Sequence, residues 1–223
     1  MKRIIAGLTA AILVLGSAMT ADAVVGYRLL TFGNTAVRWH ADIVRSQETR
    51  ITYALLESSE TFANTINCRS MRAASLIHEA PHIGIAQFET ELAEAFAMWQ
   101  AVANLRFERV SDWRTANIVI GAQAQSAGTA FADVLPARTG SGVAPIERAL
   151  ICLDPTSRWK IGFDGNLKSF DLRYVFAHEI GHAIGLDHPS RVGQVMSFNY
   201  GEHFRSLQTG DIAGVQAVYG VRR

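Results

Sequence analysis

The sequence predicts an α+β domain, and three observations carry that prediction. Strand-like segments dominate the first part of the chain, helical periodicity dominates the last, and the composition suits one packed core. Of the 223 residues, 49% are hydrophobic and 18% charged. That is too apolar for disorder and too mixed for a protein that crosses a membrane many times. A chain of this length buries a sizeable core without depending on disulfides or metals merely to fold, and it falls within the range of a single domain. Its 21 Lys and Arg against 20 Asp and Glu give a formal net charge of +1. With no basic block in view, nucleic-acid binding is not expected.

Taken in order, residues 1–23 read as a secretory signal peptide. Lys2 and Arg3 make a positive start, Ile4 to Gly16 is an uncharged and mostly apolar run, and Ala21-Asp22-Ala23 offers the small-x-small pattern that signal peptidases cut after. Removing Lys2, Arg3 and Asp22 leaves 19 positive and 19 negative charges, a formally neutral mature chain over residues 24–223. The rival, an uncleaved anchor, is poorly served by the Gly, Ser and Thr within Ile4 to Ala21, so no stable membrane anchor is expected. The protein is placed outside the cytoplasm, secreted or periplasmic, as a monomer. Export changes how the two cysteines read. Cys68 and Cys152 would pair in an oxidising compartment, while two free buried thiols and a thiolate on a metal remain the alternatives.

Within the mature chain, Arg50 to Leu56 has strand character, with Ile51, Tyr53 and Leu55 on one face. Residues 57–85 follow no clear pattern, and Pro81 argues against a continuous helix there. From Gln87 to Leu105, Phe88, Leu92, Phe96, Trp99 and Val102 recur at helical spacing, with Glu89, Glu91 and Glu94 at solvent-facing positions. Phe107 to Val110, Asn117 to Gly121, Gly128 to Pro136 and Ala149 to Leu153 read as strands, the last two separated by a loop from Thr139 to Pro145. A second helix is expected over Phe170 to Leu186 and a third over Thr209 to Tyr219.

The chemistry lies between Phe176 and His188. His178 and His182 are four apart on a helix, so both imidazoles project from one face and can share one ion. Glu179 is adjacent, placed to act on a water rather than to bind metal. Gly185 can adopt the left-handed conformation that ends a helix and turns the chain, which would return His188 as a third ligand. Three neutral nitrogens with a fourth position open is the arrangement of a catalytic zinc site. The five fixed positions, HExxHxxGxxH, arise by chance in about one in 10⁴ chains of this size. His40, His78, His82 and His203 read as ordinary surface or core residues.

These residues resemble the metzincin clan of zinc endopeptidases, and within it the chain looks like a matrixin. Ala95 to Trp99 is similar to the family's first-helix pattern, and Asn117 to Ile120 to a strand. Ala149 to Trp159 resembles the strand and Trp before the active-site helix. Val195-Met196 with Tyr200 matches the family's Met-turn, and Phe204 to Gly220, with Asp211, Gly214, Gln216 and Tyr219, is similar to its closing helix. The resemblance covers roughly residues 38 to 220. It implies a twisted mixed sheet with three main helices, and a cleft between a larger N-terminal and a smaller C-terminal subdomain. It also implies one catalytic zinc held by His178, His182 and His188, peptide or protein substrates, Glu179 as general base and Met196 as an apolar floor. By the same resemblance Tyr200 lines the pocket for the substrate side chain after the cut, and Tyr174 limits the depth of that pocket; packing in the core is the plain reading for both.

The chain also departs from the family. Matrixins carry a second, structural zinc, but two of its ligand positions are Ala132 and Cys152 here, and no His lies between His82 and His178. Asp154 falls on a calcium-binding carboxylate position, whereas Ser157 replaces another, which weakens the case for Ca2+. The family's Pro-Arg-Cys-Gly pro-segment motif is missing, and Cys68 as a cap on the zinc is a minor reading. Two functions follow from different classes: an exported zinc endopeptidase, or an exported non-catalytic zinc-containing binding protein on the same fold. Glu179, for which the second has no use, discriminates them. N-terminal sequencing of exported protein should give a start at or near Val24; a chain that keeps Met1 in a membrane fraction would instead support the anchor.

Overall fold

One layer of helices packs against a mixed sheet, and the junction between them carries most of the core. The structure is a computed structural model that describes residues 26–79, 82–137 and 142–223. The expected signal peptide and part of the Thr139–Pro145 loop lie outside the described residues. The chain opens with short strands β1 (Arg28–Leu29), β2 (Thr31–Phe32) and β3 (Thr35–Arg38), followed by β4 (Thr49–Leu55) and a hairpin of β5 (Glu60–Thr61) and β6 (Ser70–Arg72). A one-turn helix α1 (Leu76–Glu79) and the long α2 (Ile85–Val102) come next, then β7 (Leu105–Arg109), β8 (Ile118–Gln123), β9 (Ala130–Pro136) and β10 (Ala144–Leu153). The last part contains β11 (Trp159–Lys160), β12 (Phe170–Asp171), α3 (Leu172–Ala183), β13 (Leu186–Asp187) and α4 (Thr209–Tyr219). This is the expected α+β class with its three main helices.

Strands β2 to β10 share one sheet, ordered β2-β3-β10-β8-β4-β7, with β9 added on β10 and β6 on β8. β8 runs parallel to both β4 and β10 and is buried at every position, as a strand covered on both faces must be. β9 is antiparallel to β10, and no other strand pairs with it among the described residues. One face of the sheet packs on α2, α3 and α4 through Ile51, Phe88, Trp99, Ile120, Phe176 and Val215. The opposite face holds a smaller core of Leu56, Phe62, Met71, Val119, Leu150 and the two cysteines. The expected face of β4, Ile51, Tyr53 and Leu55, lies on the helical side.

Several boundaries differ from the sequence expectation, each for a local reason. α2 ends at Val102 rather than Leu105, because Ala103 turns extended to bridge Val221 and Leu105 already pairs with Thr49 in the sheet. The second helix spans Leu172–Ala183 rather than Phe170 to Leu186. Phe170 and Asp171 pair with β11, and the chain leaves the helix at Ile184. Of residues 57–85, the described ones contain the β5–β6 hairpin and α1, and Pro81 lies outside the described residues. Glu91 is a correction: it is 5% exposed rather than solvent-facing. Arg173 grips its carboxylate with two bonds of 2.8 and 3.0 Å, and Arg205 adds a third of 2.5 Å. A buried carboxylate held by two guanidinium groups has its charge compensated.

Cys68 and Cys152 form a disulfide with a Cα–Cα separation of 5.7 Å, which excludes both the free-thiol and the zinc-cap alternatives. The bridge joins the β5–β6 hairpin to β10 across 84 residues of sequence. Closing so long a loop restricts the unfolded chain, for which the chain-entropy argument gives on the order of 4 kcal/mol. Replacing both cysteines by serine should therefore lower the denaturant midpoint by a corresponding amount in equilibrium unfolding. A variant that unfolds at the wild-type midpoint would show that the hairpin is held without the bridge.

Candidate metal centre

The site begins with α3, whose start is fixed by Asp171. Its carboxylate accepts the Tyr174 N–H at 2.9 Å, satisfying one of the free donors at the helix N-terminus. Indole donors pin the helix along its length: Trp99 Nε1 bonds the Ala177 carbonyl at 2.9 Å and Trp39 Nε1 the Ala183 carbonyl at 2.8 Å. On the underside, a side chain at Gly181 would meet the Met196 sulfur at 2.2 Å, so the helix backbone rests directly on that residue. Met196 is 2% exposed and packs against the helix that carries His178 and His182.

Gly185 then turns the chain. Its φ is +97°, and a Cβ there would lie 2.4 Å from the Val37 carbonyl oxygen, so only glycine fits. β13 pairs with β1 immediately afterwards, which fixes the direction in which His188 emerges. The three Nε2 atoms of His178, His182 and His188 lie 3.1, 3.1 and 3.2 Å apart.

That convergence makes chemical sense only for a bound cation. His178 Nδ1 lies 2.7 Å from the Val195 carbonyl and His182 Nδ1 2.8 Å from the Leu186 carbonyl. A carbonyl accepts, so both Nδ1 atoms carry the proton and both Nε2 atoms present lone pairs to one another. Burial, with the neighbouring His182, pushes the His178 imidazole down to about 3; burial and His188 push His182 down to about 4. Burial also lowers His188. All three are neutral at pH 7, as metal ligation requires. Ligands on a tetrahedral zinc sit about 3.3 Å apart for Zn–N bonds of about 2.0 Å, close to the spacing found here. The residues present therefore fit zinc. Among the described residues, these histidines are the sole group of three or more potential ligands that converge.

Glu179 borders the same space. It is 6% exposed, has no hydrogen-bond partner among the described residues, and burial pushes its carboxyl up to about 8. Leaving a buried carboxylate unpartnered is costly, and a nearby cation would restore its charge. The cleft around it encloses about 550 Å3. One wall is the stretch from Gly128 to Ala132 at the free edge of β9, and the other runs from Ser197 to Tyr200. At one end Tyr174, Tyr200 and Phe170 form an aromatic recess, with ring centroids 5.1 and 5.2 Å apart. The Tyr200 hydroxyl accepts the Asp171 N–H at 3.0 Å and donates to Glu202 at 2.8 Å, which fixes that ring. Tyr174 is 4% exposed; it packs in the core and borders the cleft at once.

Asp211 is buried at the start of α4, where its carboxylate accepts the N–H groups of Val195 and Met196 at 2.9 and 3.0 Å. Elsewhere, Ala132 lies on β9 and Cys152 is consumed by the disulfide, so neither supplies a ligand. Asp154 accepts from Ser126, Thr156 and Ser157; burial works against its charge, yet these bonds hold its carboxyl below the usual range. Sequence reasoning missed three supports of the site: the Val195 and Leu186 carbonyls, the Asp171–Arg205–Glu91 cluster, and Phe198, whose exposed ring meets His188 edge-on at 5.1 Å. Only Asp171 carried a local signal, an Asp at the helix boundary.

Comparison with known proteins agrees with this geometry. The profile of the family described as Matrixin matches residues 66–220. Matrilysin of Mus musculus is 33% identical over 177 residues, covering 76% of this chain and 63% of that protein. Metalloendoproteinase 1-MMP of Arabidopsis thaliana is 31% identical over 156 residues, covering 66% and 42%. Matrilysin of Homo sapiens is 28% identical over 181 residues, covering 76% and 62%. The chain thus spans less than two thirds of the length of these relatives.

Metal content tests the site directly. Purified protein loaded with zinc and desalted should hold one ion per chain by elemental analysis, and His182→Ala should lower that strongly by removing one of three nitrogens. Retention of a full equivalent by His182→Ala would place the metal elsewhere.

Proposed function

Because the chain belongs to the matrixin family, as the match over residues 66–220 shows, we propose that it is an exported zinc endopeptidase with Glu179 as general base. The observation that carries this reading is the buried, partnerless Glu179 carboxylate beside three converging imidazole nitrogens in an open cleft. His178, His182 and His188 would hold the zinc, which when bound supplies Lewis acidity and lowers the pKa of water to near 7.

The chain's own groups do the rest. Glu179 takes the proton of the attacking water and passes it to the leaving amine, a contribution usually of 10²- to 10⁴-fold. The Val195 and Leu186 carbonyls keep two of the imidazoles in the tautomer that ligates. The edge of β9 that pairs with no other strand among the described residues offers backbone groups on which an extended peptide can add as a strand, giving affinity that is indifferent to sequence. The recess of Tyr174, Tyr200 and Phe170 accepts one side chain of that peptide. With Tyr174 pinned by Tyr200 and Phe204, the recess is shallow and favours small or medium apolar side chains.

The signal-peptide pattern of residues 1–23 and the Cys68–Cys152 bridge both support a place outside the cytoplasm. The catalytic domain occupies residues 24–223 in this reading. Among the described residues, no helix is long and apolar enough to cross a membrane.

Glu179→Gln separates catalysis from metal holding. Gln keeps the shape but cannot accept a proton at neutral pH. Turnover of an unstructured protein should fall by at least about 10²-fold while zinc content stays at one per chain. Near wild-type cleavage by this variant would rule out Glu179 as the base, and a zinc-loaded wild type that cleaves nothing would favour the binding protein.

A further inference from the structure

A second element reaches the cleft from outside the aromatic recess and the metal site. The loop from Phe62 to Arg69, between β5 and β6, lies against β9, the strand on which a peptide would add. Its tip is held by one carboxylate. Asp133 Oδ2 accepts the N–H groups of Ile66, Asn67 and Cys68 at 2.8, 2.9 and 2.9 Å, and Asp133 Oδ1 accepts the Asn67 side-chain amide at 3.2 Å. The Cys68–Cys152 disulfide fixes the next link to β10, and Phe62 packs edge-on against Trp113 at 5.5 Å. A loop tied at three points is preorganised, and Asn67 lines the cleft together with Ala130 to Ala132.

The chemistry of that position is specific. The Asn67 amide gives its N–H to Asp133, so its carbonyl oxygen is left without a protein partner among the described residues. An Asn side chain has two acceptor lone pairs on that oxygen. Behind it stands the Asp133 carboxylate, for which no Lys, Arg or His ion pair occurs among the described residues. The rim thus presents an acceptor backed by negative charge to whatever lies along β9.

We propose that Asn67 is a specificity-determining residue of the proposed peptidase, forming with Asp133 a subsite for a Lys or Arg side chain of the substrate. This inference rests on the endopeptidase reading. Asn67 contacts the substrate; Asp133 is a positioning residue that holds the loop and supplies the field.

The test uses internally quenched peptides that carry Lys, Ala or Glu at each position in turn. Wild-type enzyme should prefer Lys to Glu at one position, through KM rather than kcat. Asn67→Ala should reduce that preference roughly three- to tenfold, the usual net worth of one hydrogen bond at an exposed rim. Asp133→Asn, which keeps an acceptor for the loop N–H groups, should reduce it as well. Labelled peptides titrated onto Glu179→Gln protein give the same comparison as dissociation constants, without turnover. Selectivity and affinity unchanged by Asn67→Ala would overturn the subsite. If the wild type cleaves no peptide but Glu179→Gln protein binds Lys peptides through Asn67, the endopeptidase reading fails and the subsite stands.

Discussion

The candidate metal centre depends on a carboxylate that never reaches it. Asp211 is 1% exposed and accepts N–H bonds from Val195, Met196 and Gln208, the last at 2.8 Å. Burial pushes its carboxyl upward, and the three donors work against that shift. They join the start of α4 to the turn beneath α3. Gln194 adds to the joint by accepting the Gly210 N–H at 2.9 Å. Because this turn is held, the Val195 carbonyl stands where it can accept the His178 Nδ1 proton and so direct the Nε2 lone pair inward. Loss of Asp211 would leave two buried donors and one half-buried donor unmatched, and a mismatch of that kind costs more than the bonds themselves contribute.

A second buried charge cluster serves the other end of the cleft. Arg205 bonds Asp171 twice, at 2.9 and 2.8 Å, and also reaches Glu91, so α2, the start of α3 and the segment leading to α4 meet at one guanidinium. Asp171 caps α3 with its side chain and donates its own N–H to Tyr200. The orientation of the recess is therefore coupled to the same helix that presents His178 and Glu179. Arg is suited to this role because its planar fork satisfies two carboxylates at once.

Much of this was legible along the chain. The HExxHxxGxxH spacing needs one helix and one left-handed glycine, both local properties, and Gly185 has the φ that the spacing demands. α4 spans Thr209–Tyr219, as its pattern indicates. What could not be read depends on distant partners. Glu91 looks solvent-facing on a helical wheel because Arg173 and Arg205 are 82 and 114 residues away. The β5–β6 hairpin has little periodicity of its own and is fixed by Cys152 and Asp133. Asn67 carried no signal at all, since its place in the cleft follows from that tether.

The central claim is that three imidazoles, two of them oriented by backbone carbonyls, make the metal site with no sulfur ligand. X-ray absorption at the zinc edge of the reconstituted protein tests it most directly. The account predicts a first shell of nitrogen and oxygen only, four-coordinate, with three imidazole nitrogens at about 2.0 Å. A sulfur scatterer at about 2.3 Å, or a shell containing fewer than three imidazoles, would contradict it.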